Sequence, residues 1–272
     1  MPKAPRTALI AEGSVSQSWV GRLPGLRQHL GPVLGVSLRN ASRTVNQMKA
    51  GTACDDFTGL QKCEVVLISV PDAKLDAWIH LLAGLTADWQ RTSFVLCSNT
   101  LHAACLAPLR QKGASTASLS EMEGYLDKRF LFEGQKVALH RLRRLIETSS
   151  TARVLEITEG RRAIYDAGLT FASGMTFPMI ASAVDSMRAA GLHANIAENV
   201  VENAVIGALR AYLRAGRRGW SGPIAKIDRE ELGRQYQALF EVDPELSEIY
   251  LKIAVDFLAE LAAQPKARAA TT

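Results

Sequence analysis

Short, unbroken apolar runs alternate with segments of helical spacing over the first 158 residues. Residues 7–11, 33–38, 63–70, 93–97 and, more briefly, 114–118 each read as a strand. Residues 41–50, 74–85 and 101–112 carry helical spacing between them, while the segment after the first strand is broken at Pro24 and Gly25. Strands that are apolar on both faces suit a parallel sheet covered by helices on both sides. Residues 121–134 have no clear period and read as a loop. Residues 136–139 then read as one more strand, 140–148 as a helix and 153–157 as a last strand. The expected first domain is a parallel-sheet domain of residues 1–158.

From Arg161 the pattern changes to long helical periods without strand signals. Residues 161–190 place Ile164, Leu169, Phe171, Met175, Met179, Ile180, Val184 and Met187 at helical spacing, and Gly191 ends the run as a C-cap. A second helix is expected over 195–215, stopped by Gly216, and a tight turn at Trp220-Ser221-Gly222-Pro223. Asp228 with Glu231 forms a capping box for a helix to Phe240, and Asp243-Pro244-Glu245 opens the last helix. The small-residue tail from Pro265 is expected to be disordered. Residues 159–272 are thus a helical domain, and the α/β class describes the whole. Two long helices this apolar on so small a chain are expected to bury their faces against a second copy. No apolar run approaches the roughly 18 residues of a membrane span, so no membrane partner is expected.

Composition changes this picture little. Hydrophobic residues make up 47%, enough for a sizeable core, and the formal net charge is +5. The basic groups at Arg141/Arg143/Arg144 and Arg214/Arg217/Arg218 lack interleaved aromatics and read as solvated helix faces, so nucleic acid is not an expected partner. Four cysteines without a C-x-x-C pair or a histidine cluster give no metal site. Met1–Arg6 has no signal-peptide character, and reduced thiols fit a cytoplasmic protein.

The candidate chemistry begins at residues 7–16, a strand, a small-residue turn and a helix start. A dinucleotide-binding turn would read G-x-G-x-x-G there; this chain has Ala11, Gly13 and Ser16 at the three glycine positions. The backbone N–H groups of Gly13, Ser14 and Val15 can still face a phosphate, with hydroxyls from Ser14 and Ser16. Glu12 opposes this if its carboxylate points inward. Past the second strand, Arg39, Ser42 and Arg43 stand where an NAD site would carry Asp or Glu, which favours the 2′-phosphate of NADP. Ser98 and Asn99 end the fourth strand, positioned to bond a substrate or to cap the next helix. Asp166, beside Tyr165, is either an acid/base group or the ion-pair partner of Arg161 or Arg162. His102, His140 and His193 have no visible partners. Trp220 closes a pocket or packs in a dimer core.

The chain resembles an uncharacterised bacterial family with an N-terminal Rossmann-like domain and a C-terminal helical domain. That family is related to pyrroline-5-carboxylate reductase, deazaflavin-dependent NADP reductase and 6-phosphogluconate dehydrogenase. The resemblance rests on Leu67-Ile68-Ser69-Val70-Pro71-Asp72, on 130–134 with Val137-Ala138-Leu139, on 165–174, on Trp220-Ser221-Gly222-Pro223-Ile224-Ala225, and on Asp243-Pro244-Glu245-Leu246 with Tyr250. It implies a dimer through the helical domain and an NAD(P) cofactor running beside Ser69, Val70 and Pro71, and Arg39 with its neighbours favours NADP over NAD. It also implies NAD(P)-linked reduction or oxidation, with the substrate unnamed, in an interdomain cleft; within this chain the expected substrate is a small carbonyl or imine, the candidates to bind it are Asn99, Tyr165 and Ser173, and the catalytic candidates are Ser98 and Asp166. Departures sit where the chemistry would be. Leu96-Cys97-Ser98-Asn99 replaces a His-Thr/Cys-Ser-Gly segment, Leu119-Ser120-Glu121 replaces Leu-His-Pro, and Asp166 replaces a histidine, with Ser173-Gly174 in place of Ser-Asn. The alternative they leave open is a non-catalytic dimeric relative, a binding or scaffold protein.

Overall fold

The structure is a computed structural model that describes residues 6–13, 18–122, 127–147, 152–219 and 228–253. The expected turn at Trp220–Pro223, the tail from Pro265 and the phosphate-turn residues Ser14, Val15 and Ser16 lie outside the described residues. The chain divides into two compact units, Met1–Asp166 and Ala167–Thr272.

The first unit is built on one eight-stranded sheet. In chain order the strands are β1 (Thr7–Ala11), β2 (Leu30–Leu34), β3 (Thr52–Ala53), β4 (Val65–Ser69), β5 (Ser93–Cys97), β6 (Ser115–Met122), β7 (Lys128–Gly134) and β8 (Ala152–Ile157). Their order across the sheet is β3-β2-β1-β4-β5-β6-β7-β8. The first six are parallel, as the apolar runs predict. β7 pairs antiparallel with β6, and β8 is parallel to β7. The sheet is therefore mixed, and the loop expected over 121–134 is instead largely strand. Its period was disguised because two buried positions of this pair, Ser118 and Glu133, are polar and satisfy each other.

The helices of this unit are α1 (Leu26–His29), α2 (Leu38–Met48), α3 (Asp72–Gly84), α4 (Ala107–Gln111), α5 (Lys136–Ile146) and α6 (Arg162–Leu169). Residues 136–139, expected as a strand, are the first turn of α5, whose buried Ala138, Leu139, Leu142, Leu145 and Ile146 follow a helical stripe. The second strand also lies further back than expected. It stops at Leu34, and Ser37 caps α2 by accepting the Asn40 N–H at 3.2 Å. In the expected helix over 101–112, Pro108 falls at the start of α4, after a 3₁₀ turn at Ala103–Leu106.

The pleat of β1 sorts the core into two layers. Leu9 and Ala11 face a cluster with Val20, Leu26 and the buried face of α5. Ala8 and Ile10 face the other, with Leu75, Trp78, Ile79 and Leu82 of α3 and Leu109 of α4. Trp89 and Phe94 meet edge to face in this second layer, 5.1 Å apart.

The second unit is helical, and the helical run that begins at Arg162 continues into it. A π-helical turn at Thr170–Gly174 separates α6 from α7 (Thr176–Ala189). Then come α8 (Ala194–Ala215), α9 (Arg229–Val242) and α10 (Pro244–Tyr250). The expected caps form: Asp228 accepts the Glu231 N–H at 3.1 Å, and Asp243 the Leu246 N–H at 3.0 Å. Gly191, at φ 97°, follows the end of α7. One expectation is corrected here. Arg162–Ala189 is long and apolar enough to cross a membrane by length and composition. Residues 167–184 hold no charged side chain, and their Gly, Ser and Thr hid this in the sequence pattern.

Candidate functional site

The carboxyl ends of β1, β2, β4 and β5 define the edge of the sheet where ligands of doubly wound folds bind. At β1 the Glu12 N–H donates to the Ser69 carbonyl at 3.1 Å, extending the β1–β4 ladder by one residue. Gly13 follows at φ 82°, with open space where a Cβ would stand. Glu12 continues the parity of Ala8 and Ile10, so its side chain falls on the α3 side, where its Oε1 accepts the Trp78 Nε1–H at 2.5 Å. Trp19 is engaged elsewhere: its ring lies 6.1 Å from that of Phe130. The two side chains most able to plug the turn thus have partners away from it.

After β2 the chain passes close to β1. A Cβ at Gly35 would stand 3.2 Å from the Ala11 carbonyl and collide with Asn40 Oδ1, which is buried without a hydrogen-bond partner among the described residues. A shallow depression of about 480 Å³ on α2 is lined by Arg39, Ser42, Arg43, Asn46 and Gln47. No carboxylate lines it, and among the described residues neither Arg39 nor Arg43 has an ion-pair partner. A second pocket, of about 390 Å³, lies between the start of α2 and α3; Glu12, Ser37, Asp55, Phe57, Lys74 and Trp78 are among its walls.

The end of β4 brings Val70 against the second core layer and leaves Pro71 exposed at the head of α3. At the end of β5, Ser98 Oγ accepts the N–H groups of Thr100 and Leu101 at 3.1 and 3.0 Å and contacts the Thr100 hydroxyl at 3.1 Å. Thr100 in turn donates to Asp72 at 2.6 Å. The Ser98 hydroxyl is thus occupied as a turn cap. The Asn99 carbonyl accepts from Arg162 Nη2 at 3.2 Å. Arg162 is the centre of this region and is buried. Its Nε donates to Asp166 Oδ1 at 2.8 Å, its Nη1 to Ser120 Oγ at 3.1 Å, and its guanidinium carbon lies 5.8 Å from the Tyr165 ring centre.

Through Arg162 the structure brings Asn99, Ser120, Tyr165 and Asp166 together. Arg39, Ser42 and Arg43 form a separate group. Ser173 lies in the second unit, its hydroxyl donating to the Leu169 carbonyl at 2.8 Å. His140 and His193 are exposed, and His102 is half-buried, with Nδ1 lacking a partner among the described residues. Burial pushes the thiols of Cys97 and Cys63 up, away from nucleophilic character. Among the described residues no group of His, Cys, Asp and Glu is placed to hold a metal ion. Two features escaped sequence reasoning: the Trp78 partner of Glu12 and the Arg162 contacts to Ser120 and Asn99. Both join residues far apart in the chain, though the period-2 parity of β1 did carry the direction of Glu12.

Residues 129–256 match the family model described as domain of unknown function DUF2520. No curated protein matches the chain. Among solved structures, a Bacteroides fragilis protein provisionally described as an NADP oxidoreductase superposes with a TM-score of 0.69 at 13% identity, covering 93% of this chain and 97% of that one. The imine reductase of Aspergillus terreus, solved with NADPH4 and dibenz[c,e]azepine, has a TM-score of 0.62 at 13% identity over 92% of this chain and 93% of its own. A variant imine reductase of Myxococcus stipitatus with NAD+ has 0.62 at 13% over 94% and 97%. These likenesses show the shared fold, a Rossmann-like sheet domain followed by helices.

Proposed function

We propose that this Rossmann-like protein is an NADP-dependent oxidoreductase acting on a small carbonyl or imine. The observation that carries the reading is the pair of guanidiniums, Arg39 and Arg43, on either side of Ser42 and without carboxylate partners among the described residues. They stand in the first turns of α2, the helix that follows β2, the region where an adenosine ribose is held in this fold, and two guanidiniums there suit a 2′-phosphate. The donor set therefore fits the cofactor. Gly13, with open space at its missing Cβ, fits the close approach of a phosphate, and Ser14, Val15 and Ser16 are the further donors proposed for it. Ser69, Val70 and Pro71 would border the nicotinamide half. The cofactor supplies hydride transfer, and the chain has only to orient it and polarise the substrate.

On the substrate side the candidates are Asn99, Tyr165 and Ser173, with Asp166 and Ser98 as proton-handling groups. The helical unit is the proposed homodimer interface, and a cytoplasmic location follows from the same reading. The engagement of Ser98 as a cap and of Asp166 by Arg162 favours a second reading, a non-catalytic dimeric relative whose degenerate nucleotide loop no longer takes the cofactor, a binding or scaffold protein.

Titration of NADPH and NADH by cofactor fluorescence decides between them. The expected result is saturable binding with NADPH preferred. R39A should weaken NADPH by about ten- to a hundredfold, the size of one charge-assisted contact, and leave NADH almost unchanged. No binding of either cofactor at millimolar concentration would leave the non-catalytic reading standing.

A further inference from the structure

Glu12 places a carboxylate inside the turn proposed to hold a pyrophosphate, between Ala11 and Gly13. Like charges at that range repel, more strongly beside a low-dielectric sheet than in water. The structure contains a specific restraint on that charge. Glu12 Oε1 accepts the indole N–H of Trp78 at 2.5 Å, across 66 residues of sequence. Trp78 is only 7% exposed and sits in the second core layer with Leu75, Ile79 and Leu82. Phe57 backs it edge-on, with ring centres 6.5 Å apart. The donor is therefore fixed by packing, and the flexible partner is the glutamate. The parity of β1 sends the Glu12 side chain to the α3 side of the sheet, whereas the segment that follows the turn, with Val20, Leu23 and Leu26, packs on the opposite side.

We propose that Trp78 is a positioning residue for nucleotide binding: its indole N–H holds the Glu12 carboxylate on the α3 side of the sheet and so keeps negative charge off the phosphate turn at Gly13. The inference rests on the reading that a dinucleotide binds at this turn. It explains how a turn with a carboxylate in its middle still accepts an anion, and it makes Glu12 and Trp78 a coupled pair. Removing the donor frees the charge. Removing the charge makes the donor dispensable.

The test is NADP+ binding by calorimetry to the full-length protein, at low and high salt, for wild type, W78F, E12Q, E12D and W78F/E12Q. Thermal unfolding is followed in parallel. W78F should bind about tenfold more weakly, the effect of one charged hydrogen bond, and the defect should shrink in high salt. E12Q, which still accepts from the indole, should bind at least as tightly as wild type. W78F/E12Q should recover the affinity of E12Q. E12D leaves the indole packing intact and withdraws the carboxylate by one methylene, so it should weaken binding as W78F does even if W78F folds poorly. Wild-type affinity in both W78F and E12D, or no recovery in W78F/E12Q, would overturn the role of Trp78 while leaving the cofactor reading intact. Failure of the unmutated protein to bind NADP+ would overturn the cofactor reading itself, and the role of Trp78 with it.

Discussion

Arg162 is a guanidinium with 6% of its surface exposed, and the burial is compensated by hydrogen bonds from its N–H groups. It reaches Asp166 one turn on in its own helix, Ser120 on β6 and the Asn99 carbonyl after β5. Replacing it with methionine keeps much of the volume and strands three acceptors. R162M should lose about 2–3 kcal/mol of stability, as when acceptors at a buried site lose a charged donor, measured by urea unfolding of the full chain. R162K should lose nearly as much, because a single ammonium cannot reach in three directions. In the sequence only the local part of this was readable: Arg162 and Asp166 are four residues apart and share a helix face. Ser120 and Asn99 lie 42 and 63 residues away, and nothing in their local pattern signals an arginine partner. The same holds for Glu12 and Trp78.

At the scale of elements, the alternation of apolar runs and helical spacing was sufficient for β1, β4, β5, β8, α3, α7 and α8, whose signals are local. It failed at the end of β6, at β7 and at the start of α5. The strands there carry buried serines and a buried glutamate, and the turn between strand and helix depends on a glycine whose role is conformational. Gly134 has φ 146°, and a Cβ on it would lie 2.5 Å from the Ala117 Cα and 2.6 Å from the Thr116 carbonyl. Both obstacles are backbone of the neighbouring strand, so neither can swing aside. G134A is expected to cost about 2–4 kcal/mol through strain and loss of the β6–β7 end pairing, seen as a lower urea midpoint. The neighbouring residue gives a control. Gln135 accepts the Thr116 N–H at 2.8 Å through its side chain, and Q135A should cost only about 1 kcal/mol.

At the scale of the molecule, the second unit has more apolar surface than a lone copy can hide. Phe177 is 76% exposed and Leu213 75%, with Phe171, Met175, Met179, Ile196, Leu209 and Tyr212 also open. Its buried apolar positions among the described residues include only Ala197, Val201 and Leu232. A second copy covering these faces is the proposed occupant, and a stable interface of this kind buries about 1,200–2,000 Å² or more. Light scattering should give a dimer at micromolar concentration, and F177D/L213D a monomer with the sheet unit still folded by circular dichroism. A monomeric wild type would refute it. The sheet itself is guarded against such growth. Its outermost strand on one side is β3, two residues long, and Pro32 of β2 beside it has no N–H to offer. On the other side β8 exposes Arg153 and Glu156, the latter bridged to Lys136. Neither border can template another strand with ease, so copies of this chain are discouraged from stacking edge to edge into fibrils. Self-recognition is left to the helices, whose side-chain contacts can be counted and closed in a way that an open hydrogen-bonded edge cannot.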